Sequence, residues 1–514
     1  MKTALTPLTR TRFAPRARAS ASLTSRSALA ASVLLALAGC SLAPLDATPP
    51  ITVPAAWKSA APQAGWVSAD TARDWQAGRW WTPFNDPQLD ALMARVDIGN
   101  QNLALAVANV RQAQALLRQQ QAQLWPTVGA SGSEQRSGGE DRASTSTASL
   151  GLNVSWAPDL WGRLGDATRA QGASVQASQA DLAGARLSAQ GSLAQAYFTL
   201  RELDAEAALL QDIIAGYERS ARITQNRYDA GIAARTDTLQ AQSTLDGARA
   251  SLTALQLNRA LSEHAIALLI GEAPAGFTLA PAAWVDRVPV APAGVPSELL
   301  LRRPDIASAE RSVSAANARI GVARAAYFPQ ITLTGSLGAS GSHLGDLISA
   351  PSLLWSLGLS LAQYVFDGGA RTAAVDQAIA AHEGATATYR QTALSAMKDV
   401  EDQLARLTAL AAQQERTRAA AEAAQRIEQQ MLNRYQSGLS AYTDVVTAQA
   451  SSLGARRSVM QLQLQRQQAA VSLMQALGGG WQAPWLVPSQ AVSAAPSAAT
   501  SAVPSAPPIS AIQQ

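Results

Sequence analysis

Cysteine occurs once in the 514 residues, at Cys40, so no disulfide can form within the chain. Aromatic residues make up 5% and charged residues 15%, which argues against a string of globular enzyme domains. The three histidines, His264, His343 and His382, are far apart, in no metal-type spacing and beside no nucleophile. There is no Gly-rich phosphate loop, and no pair of carboxylates that reads as a cleft. Neither catalytic residues nor a metal site are expected. Beyond residue 40 no apolar run reaches the ~18 residues of a membrane helix. If the chain crosses a membrane, it does so as strands.

What is abundant is Ala, Gln, Ser and Leu, a mixture suited to long helices packed through small side chains. The sequence pI of about 9.4 does not mark a nucleic-acid binder. Six of the 41 basic residues, and no acid, fall in residues 1–39, leaving 35 basic residues against 37 acidic ones. This basic stretch leads into "ALAASVLLALAG" and then Leu37-Ala38-Gly39-Cys40. The pattern is that of a cleaved export signal, residues 1–39, ending in a lipobox. Cys40 is expected to carry a covalent lipid as the first mature residue, with no other cofactor. Ser41 stands where an Asp would tend to retain a lipoprotein at the inner membrane.

The segment "NRYDAGIAARTD" from Asn226 returns as "NRYQSGLSAYTD" from Asn433, and 433 − 226 = 207. Carried on to Arg249 and Arg456, 12 of 24 positions are identical, so the chain is an internal duplication. Each copy holds a very long helical stretch. The first runs from Arg163 to about Tyr228 with a heptad seam at Leu200, Leu203, Ala207, Leu210, Ile214 and Tyr217. Some 65 residues of helix span roughly 100 Å. Each stretch breaks at a glycine, Gly231 or Gly438, and returns as a second helix. Glycine supplies the left-handed backbone of the exit, Thr236 or Thr443 is expected to cap the return helix, and Asp237 or Asp444 lies in its first turn. Arg227 and Arg434, beside Tyr228 and Tyr435, either cap helix carbonyls or pair with an acid on a neighbour.

Before each hairpin lies strand chemistry. Leu150, Leu152, Val154 and Trp156 alternate with Gly151, Asn153 and Ser155; Trp355, Leu357, Leu359 and Leu361 alternate with Ser356, Gly358 and Ser360. Period two with one apolar face fits a sheet against lipid, or else the core of a soluble sandwich. The expected layout is an extended segment 40–84, then a first repeat 85–271 with strands about 127–136 and 146–157 and a hairpin 163–271. A Pro-rich connector 272–303 follows, then a second repeat 304–478 with strands about 330–340 and 353–366 and a hairpin 370–478. An Ala/Ser/Pro tail occupies 479–514. Asp86 and Pro87 are expected to open a helix that continues to Pro126. Four strands cannot stand open in hydrocarbon and are too few to close alone, so several chains are needed.

The strand pairs, the two hairpins, the lipobox, "WW…F.DP.LD" near Trp80, "LLLRRPDIASAE" from Leu299, "ARIGVARAAYFPQI" from Ala318 and the paired "RY..G" turns together resemble the outer-membrane factor (TolC-like) family, in its lipoprotein efflux branch (NodT-type). The resemblance covers about residues 75–480. It implies a mainly helical fold with a membrane β-barrel: a homotrimer joining a twelve-stranded barrel to a twelve-helix tunnel. It also implies an outer-membrane location facing the periplasm, contact with outer-membrane lipid, a periplasmic adaptor and an inner-membrane transporter of the RND class. The function implied is a passive, gated efflux duct for small molecules. Type I protein secretion, or a spacer with no channel, are the alternatives. By matching position, the resemblance makes Tyr435 the tyrosine that ties neighbouring helices, Asp237 its acidic partner, and Asp444 one of a ring of carboxylates across the entrance. Thr447 and Ser440 stand where the family often has an acid and a base, which implies a gate with fewer ionic ties.

Overall fold

The computed structural model describes residues 41–45, 49–59, 78–140, 142–289, 302–343, 345 and 353–481. The segment expected to be an export signal, Cys40, part of the connector and the tail beyond residue 481 lie outside the described residues. Seven helices and four strands are described: α1 Pro87–Gly99, α2 Gln101–Ala122, β1 Thr127–Gly139, β2 Arg142–Trp156, α3 Arg163–Asp229, α4 Arg235–Leu269, α5 Pro304–Ala325, β3 Gln330–Gly341, β4 Leu353–Ala362, α6 Ala370–Gln436 and α7 Tyr442–Ala476. The duplication is visible in their ends. α3 and α6 each have 67 residues and α4 and α7 each have 35, and every terminus of one pair lies 207 residues from its counterpart, as in 370 − 163 and 442 − 235. α2 and α5, both 22 residues long, are offset by only 304 − 101 = 203. Three residues of the four-residue difference fall within the strand hairpins, 127–156 against 330–362, and one between strand and helix.

The chain divides into two compact units. One comprises residues 1–47, 115–172 and 314–383, and holds the sheet. Its strands run antiparallel in the order β1-β2-β3-β4. Register places Val154 opposite Val128 and Gly335, and Leu333 opposite Trp156 and Leu359. The large apolar side chains of all four strands therefore share one face, Leu354 excepted. The other face is mostly Ser, Thr, Asn and Gly, bridged by Ser133–Ser149 and Ser336–Ser356 hydroxyl pairs at 2.8 Å and by Asn153 donating to Ser131 at 3.2 Å.

Two strand limits differ from the sequence expectation. β1 and β2 continue into "RSGGEDRAST", which reads as a loop, because Ser and Thr pair well at a hairpin end: Arg136 faces Ser146 and Gly139 faces Arg142, with one irregularity between Ser137 and Gly139. β4 ends at Ala362, not at 366. Its partner strand starts at Gln330, and Pro329 before it has no N–H to extend the ladder. The alternation through Tyr364 and Phe366 outruns the pairing, and both rings are exposed.

The second unit comprises residues 48–114, 173–313 and 384–514. α1 starts as the sequence suggests: Asp86 accepts from the amides of Gln88 and Leu89, and Pro87 takes the first helical position. The helix does not run on to Pro126. Asn100 leaves it with ψ 118°, and its side chain caps α2 by accepting from Asn102 and Leu103 while donating to the Leu269 carbonyl at 2.7 Å. An Asn that offers the backbone such bonds competes with the helix ladder.

Around this corner sits the largest apolar core. Trp80, Phe84, Leu89 and Met93 pack with Leu193, Phe198 and Leu200, each buried side chain contributing roughly 1.5–3 kcal/mol. Tyr197 donates to Asp86 at 2.6 Å. The guanidinium of Arg201, 1% exposed, stacks on the Tyr197 ring and bonds Asp204 and the Ala280 carbonyl. Gln467 fastens the connector by donating to the Val285 carbonyl and accepting from Trp284. The run at Arg302 is a structural bend: Arg303 bonds Asp305 and the Ala476 carbonyl, and reaches Asp399. Nearby in α3, Glu202 is buried beside Glu206, which pairs with Arg457. Burial, then the Glu206 charge, push the Glu202 carboxyl up to about 7 against the pull of Arg457.

Candidate functional site

The two helix–helix turns use the same backbone bonds. Gly231 and Gly438 have φ of 74° and 75°, the left-handed geometry that glycine adopts without strain. In the first turn the Gly231 amide donates to the Tyr228 carbonyl and the Ile232 amide to Arg227; in the second, Gly438 donates to Tyr435 and Leu439 to Arg434. This is the glycine exit expected from the sequence. The capping expectation is not met. The return helices begin at Arg235 and Tyr442, capped by Ala234 and Ala441 with no side-chain bond. Thr236 and Thr443 are thus already inside the helix, where their hydroxyls cannot reach the first-turn amides. Asp237 and Asp444 lie in the first turn, where the helix dipole favours an anion, and Asp444 is exposed.

The side chains of the two turns differ. Arg227 crosses from the first hairpin to the second, stacking 4.9 Å over the Tyr435 ring and donating to the carbonyls of Tyr435 and Gln436 at 3.2 and 3.1 Å. It caps a helix, and the helix is not its own. Arg434 only reaches the Leu439 carbonyl of its own turn. Tyr435 is buried against Tyr442, Val445 and Ala241, its ring 5.1 Å edge-on from Tyr442. Tyr228, its counterpart, is 37% exposed. The Tyr435 hydroxyl has no hydrogen-bond partner, so within one chain it does not bond Asp237.

Tyr442 was not singled out by sequence reasoning. Burial above all, then the neighbouring Tyr435, push its hydroxyl up to about 12, opposed by a hydrogen bond with Thr224 of α3. The available signal was a mismatch: Tyr442 stands where the first copy has Arg235. On the first hairpin a groove of about 820 Å³ is lined by Arg222, Tyr228, Arg235, Gln242 and Arg249, with Arg249 paired to Glu218 at 2.9 Å.

In the sheet unit, Leu150, Leu152, Val154 and Trp156 on β2 and Trp355, Leu357, Leu359 and Leu361 on β4 all lie on the apolar face and are exposed, Leu357 to 78%. β1 and β4 each pair on one side only. A one-sided apolar sheet with two open edges, carried on a chain with two equivalent long helical hairpins, is the construction of the TolC-like outer-membrane channels. Residues 92–272 and 295–479 match the outer membrane efflux protein family, and the chain belongs to that family. It is 34% identical over 475 residues to the pyoverdine export outer membrane protein OpmQ of Pseudomonas aeruginosa, across 90% of this chain and 98% of that one. The cation efflux system protein CusC of Escherichia coli is 31% identical over 455 residues, 88% of this chain and 98% of that one. The open-state MtrE outer membrane channel of Neisseria gonorrhoeae superposes with a TM-score of 0.75 at 27% identity, covering 86% of this chain and 99% of that one.

Proposed function

We propose that the chain works as a homotrimer, each copy giving four strands to one closed barrel. In that assembly it is the passive outer-membrane duct of a tripartite efflux system, receiving small organic molecules or metal ions from an inner-membrane transporter of the RND class through a periplasmic adaptor. The observation that carries this reading is the sheet: ten exposed residues of β4, alternating on an apolar face, beside an edge with free backbone groups. Such an edge is costly in hydrocarbon, where no water satisfies it, and closure with other copies removes the cost. The relatives' names, pyoverdine export in one and cation efflux in another, favour small solutes. Cys40 carries the lipid anchor in this reading; each buried methylene of an acyl chain contributes roughly 0.8 kcal/mol, so two chains hold firmly.

The hairpin turns form the periplasmic mouth. Three Asp444 carboxylates converge there and favour cations, and Asp237, Tyr228 and the Arg-lined groove beside them face the adaptor. Purified protein in planar bilayers should give discrete single-channel currents, with cation selectivity that weakens in Asp444→Ala. Bilayers that stay silent with both forms would overturn the duct and favour a spacer.

A further inference from the structure

Residues 41–45 follow Cys40 directly, and side chains of two helices in the sheet unit hold them. Ser41 Oγ donates to Asp166 Oδ1 at 3.1 Å, Arg324 Nη1 donates to the Leu42 carbonyl at 3.2 Å, and Asn317 Nδ2 donates to the Pro44 carbonyl at 3.0 Å. Ser41 Oγ also accepts from the Ala43 amide at 3.2 Å. Asn317, Gly321 and Arg324 follow one face of α5 at helical spacing. Gly321 is the floor of the site, since a Cβ there would lie 2.0 Å from Asp166 Oδ2 and 2.7 Å from the Ala43 nitrogen. Only glycine lets the peptide lie this close.

Asp166 gives the site its chemistry. Its side chain is fully buried, paired with Arg169, and its Oδ2 has no hydrogen-bond partner. Burial pushes its carboxyl up, with Arg169 and Ser41 opposing. A buried carboxylate is expensive unless bonded, and the hydroxyl that helps here comes from a residue 125 positions earlier.

We propose that Asp166, Asn317, Gly321 and Arg324 form a docking site for the mature N-terminus, taking a peptide that bends at Ala43 and carries a hydroxyl in its second residue. The site fixes where the acyl chains leave the protein; that consequence rests on the reading of Cys40 as the lipidated residue. Consecutive Cα atoms are about 3.8 Å apart, so Cys40 lies one residue from the Asp166 contact. α3 follows β2 and α5 precedes β3 by only a few residues. On this reading the acyl chains leave near the strand ends.

The test uses the full chain with a nitroxide on Leu45→Cys, in two backgrounds: the acylated protein, whose Cys40 thiol is consumed by the lipid, and a Cys40→Ser form secreted behind an ordinary cleavable leader. The label should move several-fold faster when Ser41→Ala, or Asn317→Ala with Arg324→Ala, is added, in both backgrounds. Ser41 lies outside both helices, so Ser41→Ala removes the contact with Asp166 without changing a helix residue. Unchanged motion in Ser41→Ala and in the double variant overturns the site. The mass of the acylated form answers separately whether Cys40 carries lipid. If it does not, the lipid reading falls, while the label still decides the docking site.

Discussion

At the scale of single residues, the repeat is a control on itself. Arg227 and Arg434 occupy equivalent places, yet only Arg227 crosses to the other hairpin. Arg227→Ala removes two carbonyl bonds and a ring stack, roughly 1–3 kcal/mol in all. Hydrogen exchange over residues 433–440 should quicken, while Arg434→Ala leaves it nearly unchanged. Arg227→Lys keeps the charge without the planar fork and should resemble Ala more than Arg. Glu202 gives a second prediction. Its folded value of about 7 exceeds the usual 4.5, so between those values the folded chain binds more protons than the unfolded one. Stability then falls as pH rises through that window and levels off above it. Tm measured from pH 5 to 8 should decline for the native chain, and Glu202→Gln should flatten the decline.

At the scale of elements, period-two alternation marked both apolar strand faces and a glycine marked both turns. Those signals are local, and the structure uses them locally. Boundaries set by a partner were not legible. Nothing in "LAQYVF" says that β4 loses its neighbour at Ala362; that depends on Pro329, more than thirty positions away in the chain. Thr236 looked like a cap because Thr often is one, but the glycine exit returns the chain early enough for Ala234 to take the position. Arg227 and Arg434 stay open between two roles in the sequence, since spacing cannot say which carbonyls a guanidinium will meet. Leu357→Arg, on the apolar face, should cost about 2–4 kcal/mol if that face meets the bilayer midplane and should reduce the fraction recovered in outer membranes. Ser356→Arg, pointing the other way, should be far milder. Gly438→Ala forces a left-handed Ala at about 1–2 kcal/mol, visible as a lower Tm.

At the scale of the whole molecule, what matters is what one chain leaves unfinished. β1 and β4 each keep an open edge, which pairing with other copies would complete. Ser131→Cys on β1, combined in turn with Ser356→Cys, Gly358→Cys or Ser360→Cys on the same face of β4, should give three-chain species on a denaturing gel after oxidation in at least one register. Species no larger than one chain in all three registers would refute the closed barrel.

The unequal offsets carry a consequence of their own. The four helices of the two hairpins keep one spacing, while the connections between strands do not: the step from Gly139 to Arg142 spans 3 positions and that from Gly341 to Leu353 spans 12. Added length in the second copy therefore sits between β3 and β4, and an inserted peptide tag between Gly341 and Leu353 should leave Tm nearly unchanged, whereas one at Gly231 or Gly438 should lower it.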